Sequence, residues 1–331
     1  MRTTLSIAAA VAVATLALAG CSADSGSDSP SGAASGGSGA FPVSIDTKFG
    51  EVTIEKKPTR VVALGWGDAE AALALGVQPV GASDWLAFGD AADGVGPWAQ
   101  GLYDQAPEII GTLEPSYEAI AALEPDVILD TKSSGDQDRY DRLSSIAPTV
   151  GVPEGGENYL TDFDDQMELV SEALGEEAKG EQLVDENEKA VEAVAAAHPE
   201  WKGKTVTAAT KTSEGWGAYV EDSERVDQLE ALGFEQNPAI AALAPNAGGF
   251  SVSISSEQLD EIDADVIVAF PIYIDTTEIT DDAQWKALPA VQEGHAVVID
   301  GDVAAAYSLG SALSRQYALE KLVPLLEGAT K

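Results

Sequence analysis

The side chains in this chain best suited to chemistry are aromatic rings and two lysines at the ends of short apolar runs. Trp66 and Asp68 follow the run at 60–64, Asp84 and Trp85 follow 79–82, and Lys132 follows 127–130. Lys211 and Trp216 follow 205–209, and Tyr273 follows 266–270, with Tyr219, Phe250 and Tyr307 as further candidates. Parallel α/β sheets bind ligands at the carboxyl ends of their strands, so these positions predict one shared cleft. Tryptophan and tyrosine faces exclude water from a bulky ligand and also hold cations. Lys132 and Lys211 would supply one ammonium donor from each side. A plainer reading stays open: the tryptophans cover sheet ends and the lysines are solvated.

Other chemistries find little support. His198 and His295 are the two histidines, and Cys21 is the one cysteine, so no zinc-type ligand set is expected. His295, between Gly294 and an apolar run, reads as a turn residue and not as an axial ligand. No Gly-x-Ser-x-Gly stretch or nucleophile–base pattern is present, so an enzyme is not expected. A surface hydrolase using two of the many carboxylates is the remote alternative. Eighteen Lys+Arg against 56 Asp+Glu give a formal net charge of -38, which disfavours nucleic acid and acidic lipid surfaces as partners.

The elements that must position the cleft residues fall into two blocks around one long helix. Residues 176–198 carry Leu183, Asn187, Ala190, Val194 and Ala197 on one stripe, widened by Val184, Val191 and Ala195. Acidic residues fill its first turns and Pro199 stops it. At 1.5 Å per residue it would be roughly 34 Å long, a strut between two lobes. Before it, residues 41–157 alternate short apolar runs with helical stretches, the pattern of a parallel sheet. Residues 158–199 are helical and contain the strut. Residues 200–331 repeat the α/β character, and 123–129 echoes 262–268. The expected fold is α/β, with two similar lobes of mostly parallel sheets, a single long interlobe helix and a ligand cleft between the lobes.

The start of the chain reads differently. Met1-Arg2, an apolar core at 5–18 and Leu18-Ala19-Gly20-Cys21 resemble a bacterial lipoprotein signal peptide over 1–20, with Cys21 as the lipid attachment site. Residues 21–40 are nearly all Ser, Gly, Ala and Asp after that cysteine and predict a flexible tether. These features place the protein at the extracytoplasmic face of a cell membrane, held by lipid and working in water.

Several runs carry a family resemblance: Arg60-Val61-Val62-Ala63-Leu64, Leu75-Gly76-Val77-Gln78-Pro79-Val80-Gly81, residues 118–128, and Asp263-Ala264-Asp265-Val266-Ile267. From about Pro58 to the C-terminus the chain resembles the periplasmic-binding family of iron-siderophore and vitamin B12 ABC importers. The resemblance implies two α/β lobes joined by a rigid helix, no cofactor of its own, and a receptor, expected as a monomer, that hands its ligand to an ABC permease dimer. It also implies that one carboxylate per lobe, here Glu118 and Glu257, pairs with arginines of the permease. Both also suit a helix first turn after a serine. The implied ligand is a ferric siderophore whose chelate holds the iron, and Lys132 and Lys211 would then donate to its anionic oxygens. The acidity of the chain favours a neutral or weakly charged hydroxamate-type complex. Haem or cobalamin remains the alternative within the same fold. One stiff helix between the lobes predicts only a small closure on binding.

Overall fold

The computed structural model describes residues 41–243, 245 and 249–331. The expected signal peptide, Cys21 and the tether lie outside the described residues. Among the described residues no helix is long and apolar enough to cross a membrane.

The first lobe opens with an antiparallel hairpin, Val43–Thr47 against Gly50–Ile54. A five-stranded sheet follows in the order Glu108–Ile110, Gly81–Ser83, Val61–Ala63, Val127–Leu129, Thr149–Val150, with every neighbouring pair parallel. Its strands are apolar on both faces because helices cover both. Val61, Ala63 and Leu129 face the helices Asp68–Leu75 and Phe163–Leu174. Val62, Leu64 and Ile128 face Ile120 and Leu143 on the other side.

The second lobe is built around the strand Thr205–Thr212. Val266–Pro271 and then Ala296–Val298 run parallel on one side of it; on the other, Gly215–Tyr219 pairs antiparallel with it, and Ser251–Ile254 pairs antiparallel with Gly215–Tyr219. The apolar run at 205–209 predicts a strand that ends there. Instead the strand continues to Thr212 and folds back, which sets Lys211 opposite Trp216 in register. Thr212 Oγ1 accepts the Glu214 amide at 3.0 Å, and Gly215 takes φ 133°, so the turn is closed by local hydrogen bonding and a glycine.

The interlobe helix spans Glu177–Ala197. Leu183 and Val184 pack on the first lobe's core, and Val191 and Val194 pack on the second's. The predicted stripe therefore spans both cores, except that Ala197 is exposed. Gly180 lets the helix approach its predecessor: a Cβ there would lie 2.5 Å from the Ser171 side chain.

A second link joins the lobes. The C-terminal segment forms two helices, Gly301–Leu309 and Ala312–Ala329, broken at Gly310-Ser311. Ala312 sits in the first lobe's core, whereas Leu322 and Leu326 sit in the second's. Ser311 Oγ donates to Glu70 Oε2 at 2.7 Å, and Trp98 Nε1 donates to the same oxygen at 2.5 Å. Asn187, in the middle of the interlobe helix, donates to Ala312 O at 3.4 Å.

Candidate ligand cleft

A cleft of about 790 Å³ lies between the lobes. The first lobe contributes Trp66, Trp85, Tyr159 and Leu113 to it, and the second contributes Tyr219, Arg225, Phe250 and Tyr273. Trp66 is the centre of the aromatic wall. It stacks on Trp85 at 4.2 Å and on Tyr159 at 4.1 Å, and meets Phe250 edge-on at 6.0 Å across the cleft. Its backbone is held at both ends: the amide donates to Lys132 O at 2.9 Å, and the carbonyl accepts from Gln166 Nε2 at 2.8 Å.

On the opposite wall, Tyr219 stacks on Phe270 at 5.7 Å, and burial pushes its hydroxyl pKa up. Arg225 is only 6% exposed. Its guanidinium lies 4.7 Å from the Tyr219 ring and 5.7 Å from the Trp85 ring, so it reaches across the cleft. Among the described residues, Arg225 Nε and the indole nitrogens of Trp66 and Trp85 are buried without a hydrogen-bond partner. Tyr273 is 87% exposed at the mouth, and its φ of 55° is one that non-glycine residues rarely adopt. Leu113, 70% exposed, lines the same cleft from the other lobe.

Of the predicted site residues, Trp66, Trp85 and Tyr273 therefore converge on this cleft. Asp68, Lys132, Lys211 and Trp216 do not, and each has a structural reason. Asp68 is fully buried and accepts from Gly65 N, Thr131 N, Thr131 Oγ1 and Gln166 Nε2, which ties two strand-end loops together. Burial pushes its pKa up against those hydrogen bonds. Lys132 is 3% exposed, and its Nζ lies 3.7 Å from Glu224. Burial lowers its pKa, partly offset by that carboxylate. Lys211 Nζ is 2.6 Å from Asp282 Oδ2, so its charge is already matched. Trp216 is 5% exposed, stacks on Trp285 at 5.4 Å and donates to Asp282 at 3.3 Å. Tyr307, a further candidate, is wholly buried and donates to the Arg225 carbonyl.

Glu118 and Glu257 are both exposed. Glu118 lies in the first turn of Tyr117–Ala122, where Ser116 Oγ accepts the Ala119 amide at 3.2 Å. Glu257 lies in a 3₁₀ turn, Ser256–Ile262, without a side-chain cap. His295 follows the helix Pro289–Glu293, its amide bonded to Ala290 O at 2.7 Å. Among the described residues no group of three or more His, Cys, Asp or Glu is placed to hold a metal ion.

Tyr159 and Arg225 are cleft residues that the apolar-run pattern misses, because neither follows a strand end. The signal for Arg225 is scarcity: in a chain with 18 Lys+Arg, an arginine at a helix start is conspicuous.

The comparisons agree with this architecture. The chain is 31% identical over 261 residues, 75% of its length and 76% of the relative's, to the "Probable siderophore-binding lipoprotein YfiY" of Bacillus subtilis. A periplasmic solute binding protein from Mycobacterium smegmatis superimposes with a TM-score of 0.76 at 28% identity, covering 88% of this chain and 99% of that one. Streptococcus pneumoniae PiaA, solved in complex with ferrichrome, superimposes with a TM-score of 0.73 at 28% identity, covering 87% and 98%. The periplasmic binding protein family matches residues 61–303. Two α/β lobes, the long interlobe helix and an aromatic cleft between them thus place the chain in the periplasmic binding protein family, among the substrate-binding proteins of iron-siderophore ABC importers and not among enzymes.

Proposed function

We propose that this protein binds a ferric siderophore of the hydroxamate class in the interlobe cleft and delivers it to an ABC permease. The observation that carries the reading is the convergence of aromatic faces from both lobes around Arg225, whose Nε has no protein partner among the described residues. Stacked rings give a water-excluding wall for a bulky chelate. Arg225 then donates to the iron-bound oxygens, which carry partial negative charge. Among the described cleft-lining residues Arg225 is the one cation, and Asp84 shares that lining. Lys132 and Lys211 are committed to Glu224 and Asp282. A triply charged catecholate complex would meet too little positive charge here; a neutral hydroxamate complex needs no more than one donor. The ferrichrome complex of PiaA supports this class.

Delivery rests on Glu118 and Glu257, exposed carboxylates on separate lobes that would pair with permease arginines. Attachment rests on Cys21, whose lipid would hold the protein at the extracytoplasmic face of the membrane. Titration with ferrichrome, ferrioxamine B, ferric enterobactin, ferric citrate, haem and cobalamin, read by tryptophan fluorescence and calorimetry, tests the reading. Quenching and the tightest binding are expected with a hydroxamate complex. Tighter binding of haem, cobalamin or the catecholate overturns it.

A further inference from the structure

Lys132 touches both walls of the cleft without lining it. Its carbonyl accepts the Trp66 amide at 2.9 Å, in the first-lobe wall. Its ammonium faces Glu224, the residue before Arg225 at the start of the helix Glu224–Ala231 in the second lobe. Glu224 is also gripped by Arg315 through Nε at 2.7 Å and Nη2 at 3.1 Å. The Arg315 guanidinium in turn lies 4.3 Å from the ring of Phe163, a first-lobe residue. Space is tight at this point: at Gly310, φ 76°, a Cβ would fall 2.3 Å from Glu224 Cδ. Gln228 closes the set, donating to Glu224 Oε1 at 2.9 Å and to Tyr307 O at 2.9 Å. Tyr307 then holds the Arg225 carbonyl.

We propose that Lys132, with Glu224 and Arg315, is a positioning residue that fixes the width of the cleft by locking the turn carrying Arg225 to the loop carrying Trp66. The ligand then meets a pre-formed site, and the lobes do not need to close around it. This role rests on the cleft being the ligand site, but its structural half can be measured without ligand. Removing the Lys132 ammonium unties its loop from Glu224, while Arg315 and Gln228 continue to hold that carboxylate on the second-lobe side. Burial alone would push the Glu224 pKa up, but Arg315 and Lys132 outweigh it and hold the group below its ordinary value, so the carboxylate stays available to both cations.

The test compares wild type with Lys132→Met, which keeps the main-chain bond to Trp66 and removes the ammonium. Spin labels go at Asp138→Cys and Asp260→Cys, exposed positions on separate lobes, in the full chain with Cys21→Ser. Pulsed electron–electron distances are expected to be narrow in the ligand-free parent and about twofold broader in Lys132→Met, narrowing again with ferrichrome. Ferrichrome affinity is expected to fall about tenfold, mainly through slower association, because only part of the ensemble is competent. An unchanged distribution and an unchanged association rate overturn the proposal. Glu224→Gln, which keeps shape and removes charge, decides in the same way if Lys132→Met does not fold. If wild type binds none of the chelates, the functional reading fails while the distance measurement still judges the lock.

Discussion

Replacing Glu70 by glutamine should flatten one part of the pH dependence of stability. Glu70 is 3% exposed, beneath the link between Ser311 and Trp98. Burial raises its pKa from 4.5 to about 7, against the hydrogen bonds from Ser311, Trp98 and Gly96, with Asp84 adding to the rise. The ionised group is therefore worse off in the folded protein than in the unfolded chain. Below pH 4.5 the group is protonated in both states and costs nothing. From there the native state loses stability as pH rises, until the folded group ionises near 7. A rise from 4.5 to about 7, at about 1.4 kcal/mol per pH unit, amounts to roughly 3 kcal/mol, most of which falls between pH 5 and 8. Glutamine does not titrate; its oxygen can still accept from Trp98 and Ser311, but its amide nitrogen then faces the Gly96 amide, which donated to Glu70 Oε1, a pH-independent loss of about 1–3 kcal/mol. Urea unfolding at pH 5 and pH 8, followed by tryptophan fluorescence, gives the two stabilities for each protein. The stability difference should move by roughly 2–3 kcal/mol in favour of Glu70→Gln on going to pH 8. A difference that is the same at both pH values refutes the assignment of this titration to Glu70.

Three further outcomes are expected. Trp66→Ala should weaken ferrichrome binding about 30-fold by calorimetry, since covering about 80 Å² of ring at about 25 cal/mol/Å² is worth about 2 kcal/mol. Lys211→Met should lower the urea stability by about 1–2 kcal/mol by stranding Asp282, while ferrichrome affinity stays within about twofold; a large affinity loss would return Lys211 to the cleft. Glu118→Ala with Glu257→Ala should leave ferrichrome affinity unchanged and reduce uptake of iron-loaded ferrichrome by cells at least tenfold, since two charge-assisted contacts at about 1.5–3 kcal/mol each would be lost.

The parts of the fold governed by periodicity were legible in the residues. The stripe from Leu183 to Val194 predicts a helix shared by two cores because a 3.6-residue repeat fixes which side chains point inward. The parallel first-lobe sheet follows from short apolar runs separated by capped helices. Side-chain direction was not legible in the same way. A residue at a strand end is placed near the cleft, but whether it points into it depends on partners remote in sequence. Asp68 turns inward because Thr131 and Gln166 offer donors 63 and 98 residues away. Lys132 turns inward because Glu224, itself gripped by Arg315, meets it from the other lobe. Lys211 and Trp216 were displaced by the hairpin closing at Gly215, whose antiparallel register no apolar run announces. Arg225 reaches the cleft only because Tyr219 and Trp85 present their faces to it.

The near-parallel contact of Trp66 and Trp85, with ring planes 9° apart, has an optical consequence. Indoles this close share their electronic transitions, so the pair should split into a coupled band in circular dichroism that neither ring shows alone. A cargo that slides either ring by an ångström changes that splitting. The protein thus carries its own unlabelled gauge of occupancy, readable in a cuvette while the chelate loads and leaves.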